Sequence, residues 1–165
     1  MVWLVIVAVL AVVAHYMQSP PRTPGEPVTG RAHVTDGDSL EVAGVRIRLF
    51  GIDAPERDQD CQDAGGKTYS CGRAASRALA AAIGGRSVTC TPVEVDQYNR
   101  DVAVCTAGDL DLGDVMVRGG HALDYARHSR GRYAGAEREA RDARRGMWAG
   151  TFERPATWRQ QNAKR

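Results

Sequence analysis

An α+β domain built on a small, five-stranded antiparallel β-barrel with about three helices is what the patterning of this chain predicts. Short runs of alternating apolar and polar residues, bounded by Asp-Gly and Ala-Gly turns, fill the first part of the domain. A second hairpin with facing cysteines follows. Apolar residues recur every three or four positions only in separate, mostly later segments. With 165 residues, the chain suits one domain around one sizeable core.

The elements follow in order. The apolar run from Val2 to Ala14 reads as a targeting segment over residues 1–17, outside the fold. It falls short of the about 20 apolar residues a spanning helix wants. A cleaved signal fits that length, with Val12 and Ala14 as the small pair before a cut. No Lys or Arg precedes the run, which an uncleaved membrane anchor or a mis-annotated start codon would equally explain. Both readings export the domain, to the periplasm or the extracellular space. A Pro-rich linker at 18–27 separates this segment from a domain at 28–150, and a basic C-terminal tail covers 151–165.

Strands are expected at Thr29–Thr35, Leu40–Val42 and Val45–Ile52, joined by the Asp36-Gly37-Asp38 and Ala43-Gly44 turns as a meander. In the third, Arg46 and Arg48 share one face and Val45, Ile47 and Leu49 the other. Arg46 is read as solvent-facing and Arg48 as aimed at a ligand. A helix over about Arg73–Ile83 follows from Ala75, Leu79, Ala82 and Ile83, and Gly84-Gly85 stops it. Strands ending at Cys90 and Cys105 make the next hairpin. Helical segments are expected near Leu112–Arg118 and Tyr133–Arg145, the second with a Glu137–Arg141 pair on its solvated face. Trp148, Phe152 and Trp158 either pack on the barrel or fray. Strands in this order, with helices mostly late, suit a small closed barrel of the OB type.

The four cysteines, Cys61, Cys71, Cys90 and Cys105, are an even set in a chain read as exported, so disulfides are expected. No Cys-x-x-Cys spacing occurs, and His121 and His128 lie far from the cysteines, which argues against a zinc site. In a hairpin centred between Gln97 and Tyr98, Cys90 faces Cys105. Cys61 then pairs with Cys71 and ties down the loop after Glu56.

Charge divides the chain. The formal net charge is +2, yet residues 118–165 carry 12 Lys+Arg against 5 Asp+Glu. The acids crowd Asp36, Asp38, Asp53, Glu56, Asp58, Asp60 and Asp63, a region that repels a polyanion unless a divalent cation sits in it. Asp36-Gly37-Asp38 alone would be an ordinary hairpin turn, and Asp53-Ala54-Pro55-Glu56 alone a solvated one. With Arg48 beside them and Arg100 in the next hairpin, they make a carboxylate cluster next to guanidinium groups. Phosphodiester cleavage needs that combination: a cation site, a base for water and a fork for developing charge.

Asp36-Gly37-Asp38, Arg48-Leu49-Phe50-Gly51-Ile52-Asp53-Ala54-Pro55-Glu56 and Asp96-Gln97-Tyr98-Asn99-Arg100 together resemble the staphylococcal (thermo)nuclease family in order, spacing and residue type. Val117-Arg118-Gly119-Gly120-His121-Ala122 and Ala143-Arg144-Arg145-Gly146-Met147-Trp148 resemble its later helices. The resemblance implies a Ca²⁺ held by the Asp38 and Asp53 carboxylates and the Ala54 carbonyl, hard oxygen donors of the kind calcium selects. It implies Glu56 as general base or water-orienting group, Arg48 and Arg100 as the phosphate grip, and Tyr98 at the border of the nucleotide. The implied products carry a 3′-phosphate, from DNA or RNA. The chain departs from the family in two places. Tyr125 stands one position from the family's substrate-stacking tyrosine, and the loop after Glu56 carries cysteines and extra acids. The expected protein is a monomeric, exported, Ca²⁺-dependent endonuclease acting on nucleic acid. The alternative is the same barrel as a silent nucleic-acid-binding module at a membrane, which would retain DNA without cutting it.

Overall fold

The computed structural model describes residues 25–162, so the expectations for the 1–17 segment and for most of the linker lie outside the described residues. The barrel begins with β1 (Val28–Gly30) and β2 (Ala32–Val34), one expected strand bent at Arg31. The bend lets one segment serve two neighbours: β1 pairs with β8 (Val88–Val95), and β2 pairs with β3 (Ser39–Val42). The sheet runs β1-β8-β9-β4-β3-β2, with β4 at Val45–Leu49 and β9 at Asp101–Ala107. Because β1 and β2 are continuous, that order closes on itself as a five-stranded barrel. Every pairing is antiparallel except β4 with β9, which is parallel. That exception arises because the chain crosses from β4 to β8 through a helix, and β9 then turns back beside β4.

Within the barrel, Leu40, Val42, Ile47, Leu49, Val88 and Ala103 are almost wholly buried. Helix α1 (Cys71–Ile83) covers one side with Ala75, Leu79 and Ile83, and ends at Gly84 in the left-handed conformation, whose N–H donates to the Ala80 carbonyl. Helix α2 (Leu112–Arg118) adds Leu112, Met116 and Val117 to the same core. Asp111 caps it by accepting from the N–H groups of Gly113 and Asp114 at 2.9 and 3.2 Å. Smaller pieces surround this frame: β5 (Ile52–Asp53) pairs with β11 (Leu123–Asp124), β6 (Asp60–Gln62) with β7 (Thr68–Ser70), and β10 (Leu110–Asp111) turns back to pair with the end of β9. Short α3 (Ala126–Ser129), α4 (Ala134–Asp142), a 3₁₀ turn at Gly146–Ala149 and α5 (Pro155–Asn162) complete the chain. Among the described residues, no helix is long and apolar enough to cross a membrane.

Several expectations are refined. The strand expected at Val45–Ile52 breaks into β4 and β5 at Gly51, whose φ of 71° turns the chain toward the cleft. Helix α4 stops at Asp142 and leaves Ala143 exposed, while its Glu137–Arg141 pair forms at 2.7 Å. The tail does not fray within the described residues: Phe152 meets Trp148 edge to face at 5.0 Å, and α5 folds back on the domain.

Both disulfides form, Cys61–Cys71 and Cys90–Cys105. Cys90 lies directly opposite Cys105, and a bulge at Pro92–Glu94 shifts the register only beyond that pair. The Cys90–Cys105 bond spans 15 residues, and replacing both cysteines by Ala is expected to cost about 3 kcal/mol by loop-closure entropy. Urea unfolding midpoints of the two proteins check it.

Candidate active site

Two turns and two strands bring the predicted residues to one wall of the barrel. Asp38 ends the β2–β3 turn, where its N–H donates to Asp36 Oδ1 at 3.1 Å. That turn packs hard against α1 and the loop after β5. A Cβ on Gly37 would stand 2.7 Å from the Cβ atoms of both Ala54 and Ala75, so only glycine fits there. Asp53 is placed by β5, and the Ala54 N–H donates to Asp38 Oδ2 at 3.2 Å, joining the two acidic segments. Arg48 on β4 reaches across both: its Nη2 lies 3.1 Å from Asp38 Oδ2 and 3.5 Å from Asp53 Oδ1. The two carboxylates are buried, so neither is offset by bulk water and each requires a cationic partner.

Arg100 approaches from the β8–β9 hairpin. Asp96 holds it at 2.8 Å through Nε and 2.7 Å through Nη2. Its Nη1 donates to Ser39 Oγ at 3.4 Å, and Ser39 in turn donates to Asp38 Oδ1 at 3.0 Å. A bonded chain thus links Arg100 to the acidic pair. Desolvation pushes the Asp96 carboxyl up, but the hydrogen bonds from Arg100 outweigh it and hold Asp96 below the usual carboxylate range. Asp36 moves the other way. Burial, and then the charge of Asp38, push it up to about 6.

Glu56 sits in a braced loop. Its N–H donates to Gln59 Oε1 at 3.2 Å, and its carbonyl accepts from the Gln59 N–H at 2.8 Å. Gln59 is wholly buried and donates through Nε2 to the Glu153 carbonyl at 2.7 Å. At the start of α1, Gly72 passes so near that a Cβ would lie 1.8 Å from the Glu56 carbonyl oxygen. The Cys61–Cys71 bond closes the same loop.

Asp36, Asp38, Ser39, Arg48, Glu56, Asp96 and Arg100 line one cleft of about 750 Å³. Asp53 and Ala54 lie behind its wall, buried. Tyr98 stands at the rim, 63% exposed, with the Arg100 guanidinium 5.4 Å from its ring centre. Tyr125 also lines the cleft, its ring 4.6 Å from that of His128. Arg46 is exposed, as expected, and also borders the cleft, where its Nη2 donates to the Tyr98 carbonyl at 3.3 Å.

Two residues of this site were not foreseen. Gln59 carried no signal, being one polar residue in a polar loop. Arg159 on α5 lay in a tail with no motif, yet it donates through Nη2 to Asp53 Oδ1 at 2.8 Å and through Nη1 to Glu56 Oε1 at 2.7 Å. Burial works against its charge, but the Glu56 hydrogen bond and the Asp53 charge outweigh burial and raise its pKa above the ordinary arginine value.

Side-chain donors for a cation are few. Among the described residues no three His, Cys, Asp or Glu side chains are grouped to hold a metal ion. Two oxygens, Asp38 Oδ2 and Asp53 Oδ1, do converge on one nitrogen of Arg48. They are hard, anionic and buried, a donor set that fits an oxygen-seeking divalent cation with backbone oxygen and water completing its shell.

The profile of the staphylococcal nuclease homologue family matches residues 46–150. The succinoglycan biosynthesis protein ExoI of Rhizobium meliloti (strain 1021) is 35% identical over 140 residues, 84% of this chain and 73% of that protein. An uncharacterized endonuclease of Escherichia coli O157:H7 is 34% identical over 122 residues, 70% of this chain and 73% of that protein. A probable staphylococcal-like nuclease, CAN3 of Oryza sativa subsp. japonica, is 37% identical over 131 residues, 77% of this chain. The chain spans only 32% of that longer plant protein. The family profile covers most of the strands and helices that build the cleft, and on that ground the chain belongs to the staphylococcal nuclease family and is a hydrolytic nuclease.

Proposed function

We propose that the protein is an exported, Ca²⁺-dependent endonuclease that cuts DNA or RNA by attack of water on the phosphodiester, leaving a 3′-phosphate and a 5′-hydroxyl. The observation that carries this reading is the bonded network from Asp53 through Arg48 and Asp38 to Ser39 and Arg100, with Glu56 braced beside it on the same cleft. Asp38, Asp53 and the Ala54 carbonyl would hold the calcium, which when bound offsets phosphate charge and acidifies water. Arg48 and Arg100 meet the phosphate as the pentacoordinate transition state gathers charge, fixed guanidinium groups that need not reorganise. Glu56 orients the attacking water and takes its proton as the bond to the 5′ oxygen breaks. Tyr98 and Tyr125, both in the lining of the cleft, border the nucleotide. EDTA is expected to abolish cleavage of a labelled single-stranded oligonucleotide by the purified protein, and calcium to restore it. Cleavage that persists through chelation excludes the metal reading.

Export rests on the apolar run Val2–Ala14 and agrees with two disulfides of the kind an oxidising compartment maintains. A reporter enzyme active only outside the cytoplasm, fused after residue 27, is expected to be active. The four cysteines are expected to resist thiol labelling in protein taken from cells.

A further inference from the structure

Arg159 already provides a positive charge at the acidic cluster. Its guanidinium bridges Asp53 Oδ1 and Glu56 Oε1, which the functional reading assigns to the cation and to the attacking water. A divalent cation held by Asp53 would share that carboxylate with Arg159. Two cations on one carboxylate repel each other, so occupation by one weakens the other.

The helix that carries Arg159 is built to let go. The chain before it is tied down: Gln62 and Thr151 exchange backbone hydrogen bonds at 2.8 and 3.1 Å, and Gln59 holds the Glu153 carbonyl. Beyond that point Pro155 is the one fully buried residue of α5, Trp158 is half-buried, and Asn162 donates back to the helix's own Trp158 carbonyl. A segment with so little buried apolar surface opens at small cost while the barrel stays closed. The Arg159 side chain is itself 35% exposed, so water reaches it without any opening of the core.

We infer that Arg159 is a tethered counter-cation: it occupies Asp53 and Glu56 until a divalent cation displaces it, and so sets how much metal this nuclease requires. The inference rests on the cation reading of Asp38 and Asp53. With Arg159 seated, Glu56 Oε1 is taken up in an ion pair and is not free to meet the attacking water. Displacement frees the base in the same event that loads the metal. The structure contains the closed arrangement, with both ion pairs formed.

Calcium alone, titrated calorimetrically into the full chain, tests this without reading activity. If the latch is closed nine-tenths of the time, the apparent affinity is lowered about tenfold, since only the open fraction binds. Arg159→Gln is therefore expected to bind calcium about tenfold more tightly than the wild type, and Arg159→Lys, which keeps the charge, to stay close to the wild type. Calcium is also expected to speed tryptic cleavage after Arg159 in the wild type, since trypsin must take up the freed Arg159 side chain. Equal or weaker calcium binding by Arg159→Gln overturns the latch, as does a tryptic rate unmoved by calcium. The absence of calcium binding by both proteins removes the calcium site and the calcium-dependent reading with it, whereas equal binding by both removes only the latch.

Discussion

Glu56→Gln is expected to lower kcat on single-stranded DNA by about 10²–10⁴, the usual worth of a positioned general base. The substitution keeps the shape and one acceptor oxygen, so Arg159 retains a partner and the loop retains its brace through Gln59. Asp38 and Asp53 are untouched, and calcium is expected to bind no more weakly than in the wild type, since Arg159 loses one of its two ion pairs. Initial rates at saturating calcium, with calorimetry on the same samples, separate the two quantities. A fall in kcat smaller than threefold would remove Glu56 from the chemistry, and the cleft would then need another base.

Arg100→Ala comes next, with an expected loss of about 10²–10³ in kcat for one pre-positioned charge on the transition state. The hairpin should survive the change. Asp96 still accepts from the backbone N–H groups of Tyr98 and residue 100, at 2.9 and 3.0 Å, so the turn keeps its internal bonds. The Asp96 carboxyl, now held low by Arg100, is expected to rise toward the ordinary range. Arg100→Lys should not rescue the rate. A single ammonium cannot span Asp96 and Ser39 while offering a second edge to phosphate, as a guanidinium fork can. Rates of the three proteins on one labelled oligonucleotide decide it, and an Arg100→Ala rate equal to the wild type would overturn the assignment.

The sequence told most about segments whose physics is local. Helix α1 was readable from Ala75, Leu79 and Ile83 and from the glycines that end it, since periodicity and stop signal lie in one short window. The Cys90–Cys105 pairing was readable because a hairpin centre fixes register, even though a bulge displaces the strands nearer the turn. Asp38, Arg48 and Asp53 could be grouped by motif, and they meet as one bonded cluster. The parallel β4–β9 contact was not readable, because it depends on how β8 and β9 return after α1. Gln59 and Arg159 were hidden for a related reason. Each acts across about 90 to 110 residues of chain, on Glu153 in one case and on Asp53 and Glu56 in the other, and neighbouring letters cannot report such a reach.

The bend at Arg31 has a consequence for solubility. One short segment caps both β3 and β8, so the sheet offers no long unpaired margin to another chain. Trimming or unzipping residues 28–34 would bare two hydrogen-bonding edges at once, each a template for intermolecular strand addition. A nick there should therefore show itself first as self-association and precipitation, before the cleft loses its shape.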